Sequence, residues 1–335
     1  PPGESTGACS ARASSRWYVA DGATTKAATL LVGIFNPFPE DATVDLSFST
    51  DQGPTAPAAY RPVTVPPGSL VVLNIGEHVR RRTNVSASII ARRGRVVVSK
   101  VQVHEGDGRK GLAVALAAPV AGTRWYFPEG IVLPGITERF HVYNPTQREA
   151  RVSVEFTLEE GAVEPFDRII PPGGRLSIAP TDEDRVPASM GHSTLVRSLN
   201  DVAVVAERSI DAVSPAKRMG FATTVGAPGP ATRWVFAVGA ADDGYDEWLV
   251  MNNTGRRPAT VSVLAMATGQ TLAIDGLQNI EVAAGRRLAV RLGDHVRRPE
   301  LAAIVASSAP IVVERALYRA NGVGISLVPG TVLRD

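Results

Sequence analysis

Apolar and polar residues alternate in short stretches along most of the chain. The stretches that begin at Val44, Val152 and Val261 place apolar side chains at every second position, which predicts β-strands with one buried face. Pro/Gly-rich turns separate such stretches at intervals of roughly 8–12 residues, and no segment has a convincing helical period. The pattern therefore predicts an all-β protein with about seven short strands in each of three repeats.

One short phrase marks the start of each repeat. It occurs as RWYVADG at 16–22, as RWYFPEG at 124–130 and as RWVFAVG at 233–239. Trp17, Trp125 and Trp234 therefore hold the same strand position. A large ring that recurs at one strand position is best explained as the centre of a core, so we expect all three rings to be buried.

Three further elements recur at matching places. The first is an asparagine that ends an apolar strand and opens a turn, at Asn36, Asn144 and Asn252. The second is a basic residue in a later, almost continuously apolar strand, at Lys100, Arg208 and Arg315. The third is the acid before the closing glycine of the phrase, which is Asp21, then Glu129, then Val238. We expect this acid, where it is present, to pair with one of the recurrent arginines.

The repeat length sets the domain organisation. A repeat of about 105 residues is the right size to bury one core between two sheets that lie about 10 Å apart. We predict three tandem immunoglobulin-like β-sandwich modules at residues 16–120, 121–229 and 230–335, after a disordered tail at 1–15. The apolar connectors at 111–118 and 220–226 should each add a strand to the preceding module, so that neighbouring modules touch.

Composition narrows the function classes. The 335 residues carry a formal net charge of +2, which argues against a nucleic-acid partner. No run approaches the roughly 20 apolar residues of a membrane-spanning helix, so no membrane span is expected. The single cysteine, Cys9, excludes a disulfide framework and a cysteine metal cluster. Cys9 is either a bystander, half of a disulfide, or a lipid-modified or partner-bonded residue.

Several short motifs match patterns that occur in catalytic or ligand-binding sites of other proteins. GESTG at 3–7 matches the nucleophilic-serine pattern but lies in the tail, and GDGRKG at 106–111 matches a dinucleotide-binding pattern but precedes no helix. His78 and His295 occupy equivalent turns without metal-ligand spacing. The acidic loop ADDGYDEW at 241–248 lacks the order of a helical calcium loop. We therefore predict no catalytic, cofactor-binding or metal-binding residues.

Two groups of arginines are the remaining candidate sites. If adjacent turns bring them together, each forms a basic patch for anionic polymers. The alternative is that they are solvated charges that protect sheet edges from aggregation. The first group is Arg80, Arg81, Arg82, Arg92, Arg93 and Arg95, and the second is Arg286, Arg287, Arg291, Arg297 and Arg298.

Taken in order, these elements resemble a family of tandem β-modules in secreted and envelope proteins of actinobacteria and related bacteria. The resemblance rests on WYFPEG, YNP, PPGGR and AER in the second repeat and on VERALY in the third. Departures are VSK in the first repeat and AVG and NN in the third. The resemblance implies a secreted or cell-envelope protein of a family of unknown function, and it supplies no catalytic residue.

These observations favour a non-enzymatic extracellular or cell-envelope scaffold or adhesion protein, whose partner is a cell-wall polymer or another envelope protein. The alternative is an array of carbohydrate- or anionic-polymer-binding modules, with exposed Tyr18 and Tyr126 or the arginine groups as contacts. An enzyme is disfavoured, because a diverged triplicate would have to assemble its site from residues present in one repeat only.

Overall fold

The computed structural model describes residues 5–7, 10, 12–161, 163–267 and 269–333, and Cys9 lies outside them. The regular structure in these residues consists of 26 β-strands and four short 3-10 turns. The fold is all-β, as the alternating pattern predicts. We refer to residues 16–120, 121–229 and 230–335 as repeats 1, 2 and 3.

Each repeat contributes eight or nine strands. Those of repeat 1 are Arg16–Val19 (β1), Ala28–Phe35 (β2), Ala42–Thr50 (β3), Gly53–Thr55 (β4), Val63–Val65 (β5), Leu70–Asn74 (β6), Val85–Arg93 (β7), Val97–Gly106 (β8) and Arg109–Leu116 (β9). Those of repeat 2 are Arg124–Phe127 (β10), Ile136–Tyr143 (β11), Ala150–Leu158 (β12), Phe166–Ile170 (β13), Arg175–Ile178 (β14), His192–Ser198 (β15), Val205–Ala212 (β16) and Gly220–Val225 (β17). Those of repeat 3 are Ala231–Phe236 (β18), Tyr245–Asn252 (β19), Ala259–Ala267 (β20), Gln270–Ala273 (β21), Ile280–Val282 (β22), Arg287–Arg291 (β23), Ala302–Arg319 (β24), Ile325–Pro329 (β25) and Thr331–Val332 (β26).

The strands form small antiparallel sheets in the same order in each repeat. Sheet A has the order β1-β7-β3-β4 in repeat 1 and β10-β15-β12-β13 in repeat 2, and sheet B has the order β6-β2-β8-β9 and β14-β11-β16-β17. In repeat 3 the long strand β24 pairs with β18 and β20 through its first half, and with β19 and β25 through its second. Sheets A and B of that repeat are therefore continuous through β24.

The hydrophobic core of each repeat lies between its two sheets. In repeat 1, Trp17 and Ile89 of sheet A and Ile34 and Val98 of sheet B belong to one buried cluster. Trp17, Trp125 and Trp234 are 1%, 2% and 1% exposed, which confirms the expectation from the recurring phrase. Each indole N–H donates to a backbone carbonyl across the core, at Val96, Val204 and Ile311, so the buried polar atom of each ring is satisfied.

The recurring asparagine was assigned one residue too early in repeat 3. Asn36 and Asn144 each donate their side-chain N–H to the carbonyl four residues on, and Asn253 does the same. Asn252 instead ends strand β19. The correct set is therefore Asn36, Asn144 and Asn253, because the turn requires a side-chain amide that reaches back to its own loop.

The connectors behave as the alternation predicts. Strands β9, β17 and β25 pair with the preceding long strand of their own repeat, β8, β16 and β24. Neighbouring repeats touch along these strands, since a side chain at Gly111 in β9 would collide with Phe221 of β17. Within the described residues, no helix is long and apolar enough to cross a bilayer.

Candidate functional site: two buried ionic joints between repeats

Consecutive repeats meet in two places that bury charged side chains, here called joint 1 (repeats 1 and 2) and joint 2 (repeats 2 and 3). In each joint, sheet A of one repeat faces sheet B of the next. Tyr18 and Ala20 of repeat 1 belong to the core cluster of repeat 2, and Tyr126 of repeat 2 belongs to that of repeat 3. Each repeat therefore lends side chains to the core of the repeat that follows it.

Tyr18 and Tyr126 were expected to be exposed if the protein binds glycans. They are 8% and 6% exposed, so that expectation is wrong. Both residues lie on the outer face of sheet A, and the next repeat covers that face. Alternation within one repeat assigns these strand positions to solvent, but a neighbouring repeat covers them. The pattern within a single repeat therefore could not predict their burial.

A buried lysine–glutamate pair lies at the centre of joint 1. The Lys100 ammonium of repeat 1 pairs with the Glu207 carboxylate of repeat 2, and both side chains are fully buried. Lys100 also donates to the carbonyl of Asp21 at 2.5 Å. Glu207 accepts from the backbone N–H groups of Ala20 and Asp21 at 2.9 and 3.2 Å. The two charges are thus paired and hydrogen-bonded, as buried charges must be.

Further polar groups surround this pair. The Asp21 carboxylate lies 3.7 Å from the Lys100 ammonium, accepts from the Thr223 hydroxyl at 3.1 Å, and lies 3.4 Å from Nε2 of His141. At the edge of the joint, Arg109 of repeat 1 pairs with Asp211 of repeat 2 at 2.6 Å. Joint 1 therefore links the two repeats through two ion pairs, Lys100–Glu207 and Arg109–Asp211, and through the contacts of Asp21 with Thr223 and His141.

Joint 2 repeats the arrangement with arginine in place of lysine. The Arg208 guanidinium of repeat 2 pairs with Glu314 of repeat 3 at 2.6 Å, and its other branch donates to the Glu129 carbonyl. Glu314 accepts from the Glu129 N–H at 3.0 Å. Arg208 lies 3.7 Å from Glu138 of its own repeat. Glu314 therefore plays the part of Glu207, and Glu129 that of Asp21.

The acid of the recurring phrase binds an arginine in joint 2. Arg287 of repeat 3 pairs with Glu129 at 2.6 Å and with Glu159 at 2.8 Å. It also donates to the Pro128 carbonyl at 3.1 Å. Glu129 thus pairs with an arginine, but the partner is Arg287; of the recurrent basic residues, Arg208 contacts only the backbone carbonyl of Glu129.

The joints originate in a two-residue sequence feature, the Glu-Arg pairs at 207–208 and 314–315. Adjacent residues of a strand point to opposite faces. Glu207 accordingly reaches the preceding repeat, whereas Arg208 passes through its own repeat to the following one. Sequence reasoning identified Lys100, Arg208 and Arg315 as equivalent but missed their acidic partners.

Burial and charge perturb the titration of these groups. Burial raises the pKa of Glu207 and of Glu314, although Lys100 and Arg208 respectively oppose this. Burial would also raise the pKa of Asp21, but the positive charges around it outweigh burial and hold the pKa well below its usual range. Burial lowers the pKa of His141 to about 4, with Asp21 opposing. His141 is therefore neutral at pH 7.

A family profile matches residues 2–223, which include repeat 1, nearly all of repeat 2 and the residues of joint 1. The profile is that of DUF5719, described as a family of unknown function. The chain belongs to the DUF5719 family. No curated protein matches it.

Similarity to solved structures is low. The crystal structure of Thermotoga maritima 1070 is 22% identical over 32% of this chain and 94% of that chain, with a TM-score of 0.29. The Anabaena sensory rhodopsin transducer is 23% identical over 26% of this chain and 95% of that chain, with a TM-score of 0.23. A Streptomyces avermitilis alpha-L-rhamnosidase complexed with L-rhamnose is 10% identical over 96% of this chain and 40% of that chain, with a TM-score of 0.19.

The first arginine group of this DUF5719 protein is not one patch. Arg80, Arg81 and Arg82 precede β7, whereas Arg92 and Arg93 end it, and the nine residues of this strand span about 30 Å. Several of these side chains also have partners. Arg92 pairs with Asp45 at 2.6 Å, Arg93 pairs with Glu40 at 3.1 Å, Arg95 lies over the ring of Phe38, and Arg80 donates to the Glu77 carbonyl.

The second arginine group is also divided. Arg286 and Arg287 lie at the start of β23, whereas Arg297 and Arg298 lie beyond its end. Arg287 pairs with Glu129 and Glu159 in joint 2. Arg291 pairs with Asp246 at 2.7 Å, Arg297 pairs with Asp243, and the backbone N–H of Arg298 donates to Ala241 at 2.7 Å. The acidic loop at 241–248 thus provides partners for arginines.

GDGRKG and the two equivalent histidines lie in turns, whereas residues 3 and 4 of GESTG lie outside the described residues. GDGRKG forms the hairpin between β8 and β9, and His78 and His295 each follow a 3-10 turn. The described part of the chain contains no group of three or more His, Cys, Asp and Glu side chains arranged to hold a metal ion.

Buried His141 makes the stability of this DUF5719 protein pH-dependent. An unfolded histidine has a pKa near 6.5, and burial lowers that of His141 to about 4. Its contribution to stability is complete above pH 6.5 and is lost as the pH falls towards 4. At pH 5 the loss is about 2 kcal/mol. Between pH 7 and pH 5 the free energy of unfolding should fall by about 2 kcal/mol less in His141→Gln than in the wild type. Urea unfolding at the two pH values measures this difference.

The matched control is His78→Gln, because the His78 side chain is exposed in a turn. This variant should keep the wild-type difference between pH 7 and pH 5. An unchanged pH dependence in His141→Gln would show that the unfolding equilibrium does not sense this site.

Proposed function

We propose that this DUF5719 protein is a non-enzymatic scaffold of the cell envelope or extracellular space, built of three immunoglobulin-like β-sandwich modules that two ionic joints hold in fixed orientation. The observation that carries the proposal is the equivalence of the joints: Lys100–Glu207 and Arg208–Glu314 occupy the same place between successive repeats. A scaffold must keep its parts in one relative orientation, and buried ion pairs are satisfied in few orientations.

The energetics support this role. A buried ion pair adds little net stability, but separating its partners leaves uncompensated charges in a low-dielectric interior. Any rotation of repeat 2 on repeat 1 would also break the bonds from Glu207 to the Ala20 and Asp21 amides. The joints therefore resist bending more than an apolar contact of equal area would.

The non-enzymatic part of the proposal rests on where the perturbed groups lie. Glu207, Glu314, Asp21 and His141 have shifted pKa values, a feature that elsewhere marks catalytic sites. Here these groups bind one another between repeats, and none of the four is more than 8% exposed. The envelope location and an envelope partner follow from the resemblance to secreted actinobacterial β-modules.

Small-angle X-ray scattering combined with limited proteolysis tests the scaffold. We expect one rigid conformation to fit the scattering of the intact protein, and the connectors at 111–118 and 220–226 to resist cleavage. Lys100→Met removes the cation from joint 1, and we expect it to increase cleavage near 119–122. The control is Lys110→Met, whose side chain is exposed in the β8–β9 hairpin. A wild-type curve that requires many module orientations would contradict the proposal.

Binding of anionic cell-wall polymers remains the second candidate, and one observation favours it. Arg80, Arg81 and Arg82 are consecutive, and the described residues contain no carboxylate ion-paired with any of them. The proposed scaffold should show no binding to purified teichoic acid at 150 mM salt that depends on these residues. Binding that disappears when all three are changed to serine would favour the second candidate instead.

A further inference from the structure

The two ends of the repeat array carry open sheet faces. Strand β16 is buried on both faces, as is the second half of β24, because a preceding repeat covers sheet B of repeats 2 and 3. The equivalent strand β8 alternates between buried and partly exposed positions. Sheet B of repeat 1 therefore lacks the cover that the other two sheets have.

The open face of repeat 1 is apolar. Leu70 is 60% exposed and Val72 is 55% exposed. By strand register, Leu70 corresponds to Arg175 and Arg287, both of which reach the preceding repeat. Ser99 likewise stands where Glu207 and Glu314 stand. Repeat 1 thus keeps the shape of the joint-forming sheet but lacks its charges.

The open face of repeat 3 is sheet A. The first half of β24 alternates in burial, whereas the matching start of β7 is buried throughout. Val238, which replaces the acid of the recurring phrase, is 59% exposed. Arg315 corresponds to Arg208 but has no acid from a following repeat within ion-pairing distance in the described residues. Burial lowers the pKa of Arg315, which the charge of Glu247 in the same repeat opposes, but burial also raises the pKa of Glu247 to about 7.

Residues 5 and 6 of the N-terminal tail contact both repeat 1 and repeat 3. Ser5 accepts from the Val114 N–H of β9 at 3.0 Å. The neighbouring Thr6 accepts from Arg315, and its carbonyl accepts from Ser326 of β25 at 2.7 Å. Two adjacent residues thus bridge repeats 1 and 3, so the inner edges of these repeats lie within roughly 10 Å of each other. A cavity of about 520 Å³ opens beside them, lined in part by Leu112, Val238 and Ser326.

The tail occupies the place of a repeat's last strand. Gly7 precedes Trp17 by ten residues, as Ala115 of β9 precedes Trp125 and Thr224 of β17 precedes Trp234. Strand β9 packs against β17, and β17 against β25. Residues 5–7 therefore continue the series of inner strands from β25 back to β9.

We propose that the space between repeats 3 and 1 is the seat of a fourth module of the same repeat, with tail residues 5–7 as its inner strand. Its sheet B would cover repeat 3, and its sheet A would cover repeat 1. A fourth module would close the array into a ring of four. A second copy of the whole chain does not suit this space, because a copy that entered with one repeat would carry its other repeats into repeats 1 and 3.

The open faces define the chemistry of this module. Opposite Val238 and Leu70 it carries apolar side chains, in contrast to the Glu129–Arg287 pair of joint 2. Opposite Arg315 it carries a carboxylate or a neutral polar group, because the equivalent Arg208 binds the carboxylate of Glu314 in the following repeat. A polyanion is a poor occupant, since both faces are largely apolar.

The test replaces residues 1–5 with a copy of residues 121–222 that continues directly into Thr6, so that Ala222 of the copy takes the place of Ser5 in the inner strand. The copy carries Glu129→Val, which places an apolar side chain opposite Leu70 of repeat 1. It also carries Arg175→Leu, which places an apolar side chain opposite Val238 of repeat 3. The readout is thiol labelling of Leu70→Cys in a Cys9→Ser background. We expect the extension to slow labelling at least about tenfold, the ratio produced by about 1.4 kcal/mol of docking free energy. Labelling of Val238→Cys should slow in parallel.

The matched control adds Glu207→Arg in the copy, which places a positive charge against Arg315 and should restore rapid labelling. Unchanged labelling with the first copy would overturn the proposal. A copy that remains sensitive to protease would also overturn the proposal. A docked copy should be protected, because it would gain the contacts with neighbouring repeats that repeats 2 and 3 have. Sedimentation of the unextended chain should show a monomer, and association abolished by Leu70→Arg would assign the faces to a second copy instead.

Discussion

Replacing Arg208 with methionine is expected to lower the free energy of unfolding by about 3–5 kcal/mol. The guanidinium is fully buried and lies between Glu314 at 2.6 Å and Glu138 at 3.7 Å. Methionine fills much of the volume but leaves these carboxylates without their cation. Their desolvation is then uncompensated, which is the costly way to break a buried pair. Urea unfolding at pH 7 measures the change.

The matched control is Arg92→Met. Arg92 pairs with Asp45 at 2.6 Å, the same distance as the Arg208–Glu314 pair, but more than half of the Arg92 side chain is exposed. Water screens such a pair, so the loss should not exceed about 1 kcal/mol. Equal losses for the two variants would mean that burial of joint 2 does not determine its energetics.

Replacing Trp125 with alanine is expected to lower the free energy of unfolding by about 3–5 kcal/mol. The ring is 2% exposed, and its N–H donates to the Val204 carbonyl at 2.8 Å. Truncation removes apolar contacts, leaves a cavity between the two sheets and orphans a buried carbonyl. Repeat 2 should unfold first, because Trp125 belongs to its core cluster. Urea unfolding followed by circular dichroism measures this loss, because it detects the strands of all three repeats.

Val120→Ala is the control for this variant. Val120 lies five residues before Trp125 and is 58% exposed, so the change should stay within about 0.5 kcal/mol. A small loss for Trp125→Ala would indicate that the sheets close over the vacated space. That outcome would contradict the view of the recurring tryptophan as the central core residue.

Much of the fold could be predicted from alternation and recurrence. The alternation of apolar and polar residues predicted the strands, and the recurring phrase predicted the buried tryptophans. The apolar pattern of the connectors predicted strands β9 and β17. These signals are local, because each depends on which face of a strand meets the core. The error at Asn252 is also local: Asn252 and Asn253 are adjacent, and only the hydrogen bond to the carbonyl of Arg257 distinguishes them.

The two joints could not be predicted from the residue pattern within a single repeat. Tyr18 looked like a solvent-facing residue, because alternation places it opposite Trp17, yet repeat 2 covers it. The sequence showed that Arg208 recurs as a basic residue and that AER is a motif, but it did not show which groups Glu207 and Arg208 contact. Their roles depend on two different neighbours, one on each face of the sheet.

The sequence by itself determined the all-β class, the threefold repetition and the core positions, because each follows from residues near one another in the chain. Only the tertiary structure decided which charges meet, since Lys100 and Glu207 are 107 residues apart. Which outer faces are buried and which stay open depends on how the repeats pack on one another. That packing places buried charge within joints 1 and 2 and apolar surface at the two ends, and no period in a single strand encodes this difference.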